Sequence, residues 1–141
     1  MFEAIRYHDF CAGHRVAGHE NKCAHLHGHN YRVYFHCTAE ETDNLGRVID
    51  FSVIKAKLCN WLEDNWDHRF IVWEQDPLAN DIAKLDSATV KVPFNPTAEN
   101  MAQYLVEVIG SQQLKGTGVI LHKCVVEETR KCSASFSQDV L

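Results

Sequence analysis

Two stretches near the start of the chain alternate between apolar and polar residues with the two-residue period of a half-buried strand. "HNYRVYFHCTAE" puts His29, Tyr31, Val33, Phe35 and Cys37 on one face and is rich in β-formers. "FEAIRYHDF" and the following "CAGHRV" alternate more loosely and predict an earlier strand from Phe2 to Val16. The polar segment between them, "AGHENKCAHLHG", ends in glycine and predicts a hairpin connection longer than a tight turn. Loops of that kind carry function more often than the elements they join. The period changes after Asp50, a suitable N-cap. In "FSVIKAKLCNWLEDN", Val53, Ile54, Lys57, Leu58, Trp61 and Leu62 fall near one stripe, as in an amphipathic helix. "NPTAENMAQYLVEVIGSQQL" predicts a second helix, with Thr97 as N-cap and Met101, Tyr104, Leu105 and Val108 at helical spacing. Between the helices, "EQDPLANDIAKL" predicts a short helical turn and "ATVKVPF" a short strand or extended arm. "GVILHKCVVEET" and "KCSASFSQDV" alternate as two closing strands.

The predicted order is β-β-α-α-β-β, an α+β fold in which an antiparallel sheet carries two helices on one face. Such a sheet has two open edges that invite pairing with other copies, so a homo-oligomer is expected. The 141 residues fit one domain spanning 1–141. A net charge of −5 without a Lys/Arg block argues against nucleic-acid or membrane binding. No apolar run approaches the roughly 20 residues needed to span a bilayer. "MFEAIRYHDF" is charged and alternating rather than a signal peptide, and the expected location is cytoplasmic. The six cysteines are scattered, which favours reduced thiols over a disulfide framework. Cys11, Cys37, Cys59, Cys124 and Cys132 are read as small buried hydrophobes.

Nine histidines change the picture, because six of them lie between His8 and His29. His27 and His29 are two apart, and in an extended segment both imidazoles point to one side, with Gly28 permitting close approach. Two such rings plus a third histidine can hold Zn²⁺ with its fourth position open. His14, His19 and His25 are candidates for the third. His14 is favoured because it lies near the end of the preceding strand, where a hairpin partner could face His29. A bare H-x-H is weak, since most such pairs are ordinary strand or surface histidines. Cys23 is a fourth ligand closing the site, a thiol poised as base or nucleophile, or simply a small buried hydrophobe. Asp67 beside His68 can orient its imidazole, although a polar helix end explains the pair as well. Glu127 and Glu128 point to opposite faces of a strand, so at most one faces the sheet interior. A ligand with two N–H donors would explain it there.

Taken together, these motifs resemble the 6-pyruvoyl-tetrahydropterin synthase / 6-carboxytetrahydropterin synthase family over nearly the whole chain. "CAHLHGH" matches its C-x-x-x-H-G-H signature, "FCAGHRV" the segment with the first zinc histidine, and "GRVIDFSVIK" the segment before the first helix. "WDHRF" matches its Asp-His dyad, "NPTAEN" its second helix start and "EET" its pterin anchor. The resemblance implies the tunnelling fold, with trimers closing a barrel and stacking as a homohexamer. It implies that His14, His27 and His29 bind catalytic Zn²⁺ and that Cys23 is the catalytic thiol. Asp67 and His68 become the acid/base dyad, supplied from an adjacent subunit. Glu128 would grip the pterin edge with Thr129 beside it, and Thr97 is a further substrate-binding candidate. The implied substrate is 7,8-dihydroneopterin triphosphate. Only Ala24, His25 and Leu26 separate Cys23 from His27, which is similar to the type that makes 6-carboxytetrahydropterin, with acetaldehyde and triphosphate released, toward queuosine. The alternatives are the 6-pyruvoyl product and a non-catalytic pterin-binding zinc oligomer. Phe136, where the family often has tyrosine, and Trp66, where smaller residues are common, depart from the pattern and bear on pocket shape. Arg15, Lys22 and Lys55 are available to a triphosphate, with plain surface solvation as the simpler account of each.

Overall fold

The computed structural model describes residues 1–140. Two long strands, β1 (Ala4–His14) and β2 (His27–Ala39), form the predicted hairpin, with Ala4 opposite Cys37 and His14 opposite His27. β5 (Val119–Glu127) pairs antiparallel with β2, and β6 (Ser133–Ser137) with β5. These four strands are the predicted antiparallel core.

The sheet is larger than predicted and not purely antiparallel. β3 (Arg69–Trp73) lies parallel to β1 and β4 (Val90–Val92) parallel to β3, giving the order β4-β3-β1-β2-β5-β6. A parallel pair needs a crossover. Helix α2 (Ala79–Leu85) supplies it between β3 and β4, where the sequence suggested only a helical turn. The two added strands are too short for their alternation to register as a pattern.

Helix α1 covers residues 51–65 and helix α3 residues 98–113, each with a π-helical stretch, Lys55–Cys59 and Leu105–Gly110. Both begin at the predicted caps: Asp50 accepts the Ser52 N–H and Thr97 the Asn100 N–H. Their apolar stripes, including Ile54, Leu58, Leu62, Met101, Leu105 and Ile109, cover Phe10, Tyr31, Val33, Phe35, Cys124 and Val126 of the sheet. Burial of such side chains contributes about 1.5–3 kcal/mol each. Ile71 of β3 joins this core. The next residue, Val72, faces the other way and packs with Ala79 and Ile82 of α2. Helix α2 therefore covers part of the opposite face. Trp66 is core rather than pocket wall, fully buried with its ring 5.2 Å from Trp61 and 6.3 Å from Tyr104.

All six cysteines are free. Cys37, Cys59 and Cys124 are buried as expected, and burial pushes the Cys37 thiol up to about 12. Cys11 and Cys132 are exposed instead. Cys11 falls on the outward parity of β1, and Cys132 lies in the β5–β6 turn.

Candidate active site

The inward parity of β1 and β2 brings three imidazoles together at one end of the sheet. Each of His14, His27 and His29 offers a ring nitrogen, and these lie within 4.8 Å of one another. The residue directly opposite His14 is His27, not His29, which pairs with Ala12. His29 reaches the cluster diagonally, with ring centroids 5.0 Å apart. Gly28 lets the strands close here, because a Cβ on it would stand 3.1 Å from the Ala12 carbonyl oxygen. His19 and His25 are turned to other uses. His19 Nδ1 accepts the Asn21 N–H, and the His25 carbonyl accepts from His27 Nδ1 at 2.8 Å.

Two of the rings are set for coordination through Nε2. His14 Nδ1 donates to the Pro96 carbonyl at 2.7 Å, as His27 Nδ1 does to His25. An Nδ1–H held by a carbonyl fixes the tautomer and aims the Nε2 lone pair, as in metal-bound histidines. The Nε2 atoms of His14 and His29 are buried without a hydrogen-bond partner. Burial, reinforced by the neighbouring His27 and His29, holds His14 down at about 4, against the opposing pull of the Pro96 bond. Burial also lowers His29, with His27 adding to the effect and Glu128 opposing it. Three convergent imidazoles, two of them with buried and unpartnered Nε2 atoms, are the donor set of a transition-metal ion with room for a further ligand.

Glu128 stands over the same cluster. Its Oε1 is 3.5 Å from His14 Nε2 and 3.7 Å from His29 Nε2, near both and bonded to neither. It follows the last strand residue, Glu127, which pairs with Arg32, so Glu128 has the inward parity. Tyr31 lies beneath: its ring is edge-on to His14 and His29, and its buried hydroxyl has no partner. Burial raises the proton affinity of this hydroxyl, and Glu128 and Cys23 add to the effect. Cys23 sits half-buried in a 3₁₀ turn, Lys22–Ala24, between the hairpin strands.

The Asp67–His68 dyad is formed but presented outward. His68 Nδ1 donates to Asp67 Oδ2 at 2.8 Å, while the His68 side chain is 79% exposed. The Cys11 backbone holds both partners. Its N–H donates to Asp67 Oδ1 at 3.0 Å, and its carbonyl accepts the His68 N–H at 2.6 Å. Burial pushes the Asp67 carboxyl up, but the Cys11 N–H and His68 together bring it below its ordinary range. His68 has φ of 59°, the one non-glycine among the described residues with positive φ. That left-handed conformation costs about 1–2 kcal/mol. A cleft of about 440 Å³ lies beside it, lined by Cys11, Asn30, His68, Arg69 and Phe70 among others.

Thr97 and Thr129 have structural duties here. Thr97 Oγ1 caps α3, and Thr129 Oγ1 accepts the Lys131 and Cys132 N–H groups in the β5–β6 turn. Arg15 is not a solvated surface cation: its side chain is 16% exposed and paired with Asp76 at 2.7 Å.

A family model described as 6-pyruvoyl tetrahydropterin synthase matches residues 4–139. The chain belongs to this family. Its relatives within the family include the 6-carboxy-5,6,7,8-tetrahydropterin synthase of Rickettsia felis, 35% identical over 136 residues, covering 94% of this chain and 97% of that protein. The protein of the same name from Haemophilus influenzae is 33% identical over 112 residues, covering 74% and 79%. Among solved structures, an uncharacterized protein from Wolinella succinogenes is 26% identical with a TM-score of 0.85, covering 98% of each chain. The 6-pyruvoyl tetrahydropterin synthase of Caenorhabditis elegans is 25% identical with a TM-score of 0.65, covering 98% of this chain and 96% of that one. The tunnelling fold expected from the motifs is the fold of these family structures.

Against that family pattern, the sequence reading missed three groups that hold the site. The Pro96 carbonyl aims His14, the Cys11 backbone fixes the dyad, and Tyr31 lies under the histidines. Two act through backbone atoms, which no residue type announces. Tyr31 ends "HGHNY", where its residue type signals only a strand former.

Proposed function

We propose that the protein is a zinc-dependent 6-carboxy-5,6,7,8-tetrahydropterin synthase, a lyase acting on 7,8-dihydroneopterin triphosphate in the cytoplasm. Acetaldehyde and triphosphate leave, and the product feeds queuosine-type deazapurine synthesis. The observation that carries the reading is the shared name of relatives aligned over nearly the full chain. The short gap between Cys23 and His27 supports the same product. His14, His27 and His29 hold the metal through neutral nitrogens, leaving a position open to substrate. A bound Zn²⁺ supplies Lewis acidity toward the oxygens of the substrate side chain.

The remaining roles belong to the chain's own groups. Cys23 takes the proton from the side-chain carbon next to the ring. His68, oriented by Asp67, exchanges protons as the acid/base partner. Glu128 accepts hydrogen bonds from the pterin's paired N–H groups, with Thr97 and Thr129 as further substrate-binding candidates. The outward, strained His68 supports a site completed between subunits, in a homohexamer built as a dimer of trimers.

The test is product analysis by mass spectrometry from purified, zinc-loaded protein and dihydroneopterin triphosphate. The reading requires acetaldehyde and 6-carboxytetrahydropterin. A 6-pyruvoyl product without acetaldehyde would select the sister activity, and no turnover at all would favour a pterin-binding zinc oligomer. Full turnover in Cys23→Ala would remove the thiol from the mechanism.

A further inference from the structure

The turn that carries Cys23 has little of its own to hold it. It is three residues long, none of them is buried, and Asn21 at its N-cap makes no side-chain capping bond. Beyond its own two backbone bonds, Ala24 N–H to the Asn21 carbonyl and His25 N–H to the Lys22 carbonyl, it is tied down by the two residues that follow His14. The Val16 N–H donates to the Cys23 carbonyl at 2.7 Å. Arg15 Nη1 donates to the next carbonyl, that of Ala24, at 3.1 Å.

The guanidinium is itself held from behind. Arg15 Nε donates to Asp76 Oδ2 at 2.7 Å, and the Asp76 side chain is 0% exposed. The other Asp76 oxygen accepts the Leu78 N–H at 2.8 Å. Two guanidinium donors are directed, Nε to the carboxylate and Nη1 to the carbonyl. A buried carboxylate is tolerated only when paired, and a planar guanidinium can fork between a carboxylate and a carbonyl in fixed geometry, which an ammonium does less well. The result is a rigid path from Asp76, in the turn after β3, through Arg15 to the backbone beside Cys23. Arg15 also directly follows a proposed metal ligand, so the same strand end places the thiol relative to the imidazoles.

We infer that Arg15, backed by Asp76, is a positioning residue that sets the Cys23 thiol against the three-histidine cluster. The inference rests on Cys23 being the reactive thiol of the proposed reaction. Displacing a reacting group by about 1 Å costs on the order of 100-fold in rate.

The experiment compares full-length wild type, Arg15→Ala, Arg15→Lys, Asp76→Asn and Cys23→Ala. Three readouts are taken: metal content, kcat and KM for dihydroneopterin triphosphate, and the pH profile of Cys23 alkylation by iodoacetamide. Peptide mass spectrometry separates Cys23 from the exposed Cys11 and Cys132. Arg15→Ala is expected to lower kcat by roughly 10- to 100-fold, with KM and metal content close to wild type and the alkylation profile shifted. Arg15→Lys should recover only part of the loss, and Asp76→Asn should move the same readouts in the same direction. Should Arg15→Ala fail to fold, Arg15→Lys carries the test on the same readouts. Wild-type kcat and a wild-type alkylation profile in the folded Arg15 variant would overturn the inference. Full turnover in Cys23→Ala would instead overturn the reading beneath it.

Discussion

Tyr31→Phe removes one oxygen from a fully buried side chain and leaves its packing in place. The ring stacks on Phe10 with centroids 5.1 Å apart and planes 13° from parallel. It meets His14 and His29 edge-on at 5.9 and 5.4 Å. All of these contacts belong to the ring and persist in phenylalanine. The hydroxyl is different, because it is buried with no hydrogen-bond partner in the chain. Burial, with Glu128 and Cys23 nearby, raises its proton affinity further, so it stays a neutral O–H. A buried polar group left unsatisfied costs about 1–3 kcal/mol. The metal-free variant should therefore be more stable than wild type by about that amount. Urea unfolding measures it, at one fixed protein concentration because association adds apparent stability. The midpoint should rise with the slope unchanged. Activity should fall in the same variant, since a polar group kept unpaired beside a reaction site is stability given up for function. A loss of 1 kcal/mol or more would refute the reasoning, because it would mean that the hydroxyl is satisfied in the folded protein.

Two further outcomes follow from the same cluster and its dyad. His14 is held at about 4 in the fold against an ordinary 6.5, so as pH falls the unfolded chain takes the proton first. Its contribution to metal-free stability is complete above 6.5 and declines down to about 4, a loss on the order of 3 kcal/mol. Urea midpoints of wild type and His14→Gln across that window isolate it, and equal slopes in the two proteins would contradict it. Asp67→Asn keeps an oxygen for the Cys11 N–H but loses the charge that His68 Nδ1 donates to. The expected loss in kcat is on the order of 10²–10⁴ at unchanged metal content; steady-state rates equal to wild type would show that the dyad does not act as one.

What the sequence determined by itself is what local periodicity and capping can encode. Alternation in "HNYRVYFHCTAE" located β2 and put His29 and Tyr31 on the core face, because a strand's side chains must alternate. Asp50 and Thr97 marked both long helices, because a side-chain oxygen satisfies an amide two or three residues away. The H-x-H spacing marked the stretch that supplies two of the three clustered imidazoles. The tertiary structure decided everything that depends on which distant segments meet. Five-residue β3 is a strand only because β1 gives it a parallel partner, and three-residue β4 only because β3 does the same. His14 pairs with His27 because the hairpin register is fixed along the whole of β1, not at the loop. The Pro96 carbonyl that aims His14 comes from 82 residues away, and the Asp76 that holds Arg15 from 61. Those bonds run to a backbone carbonyl and a buried carboxylate, whose partners follow from the packed fold and not from neighbours along the chain.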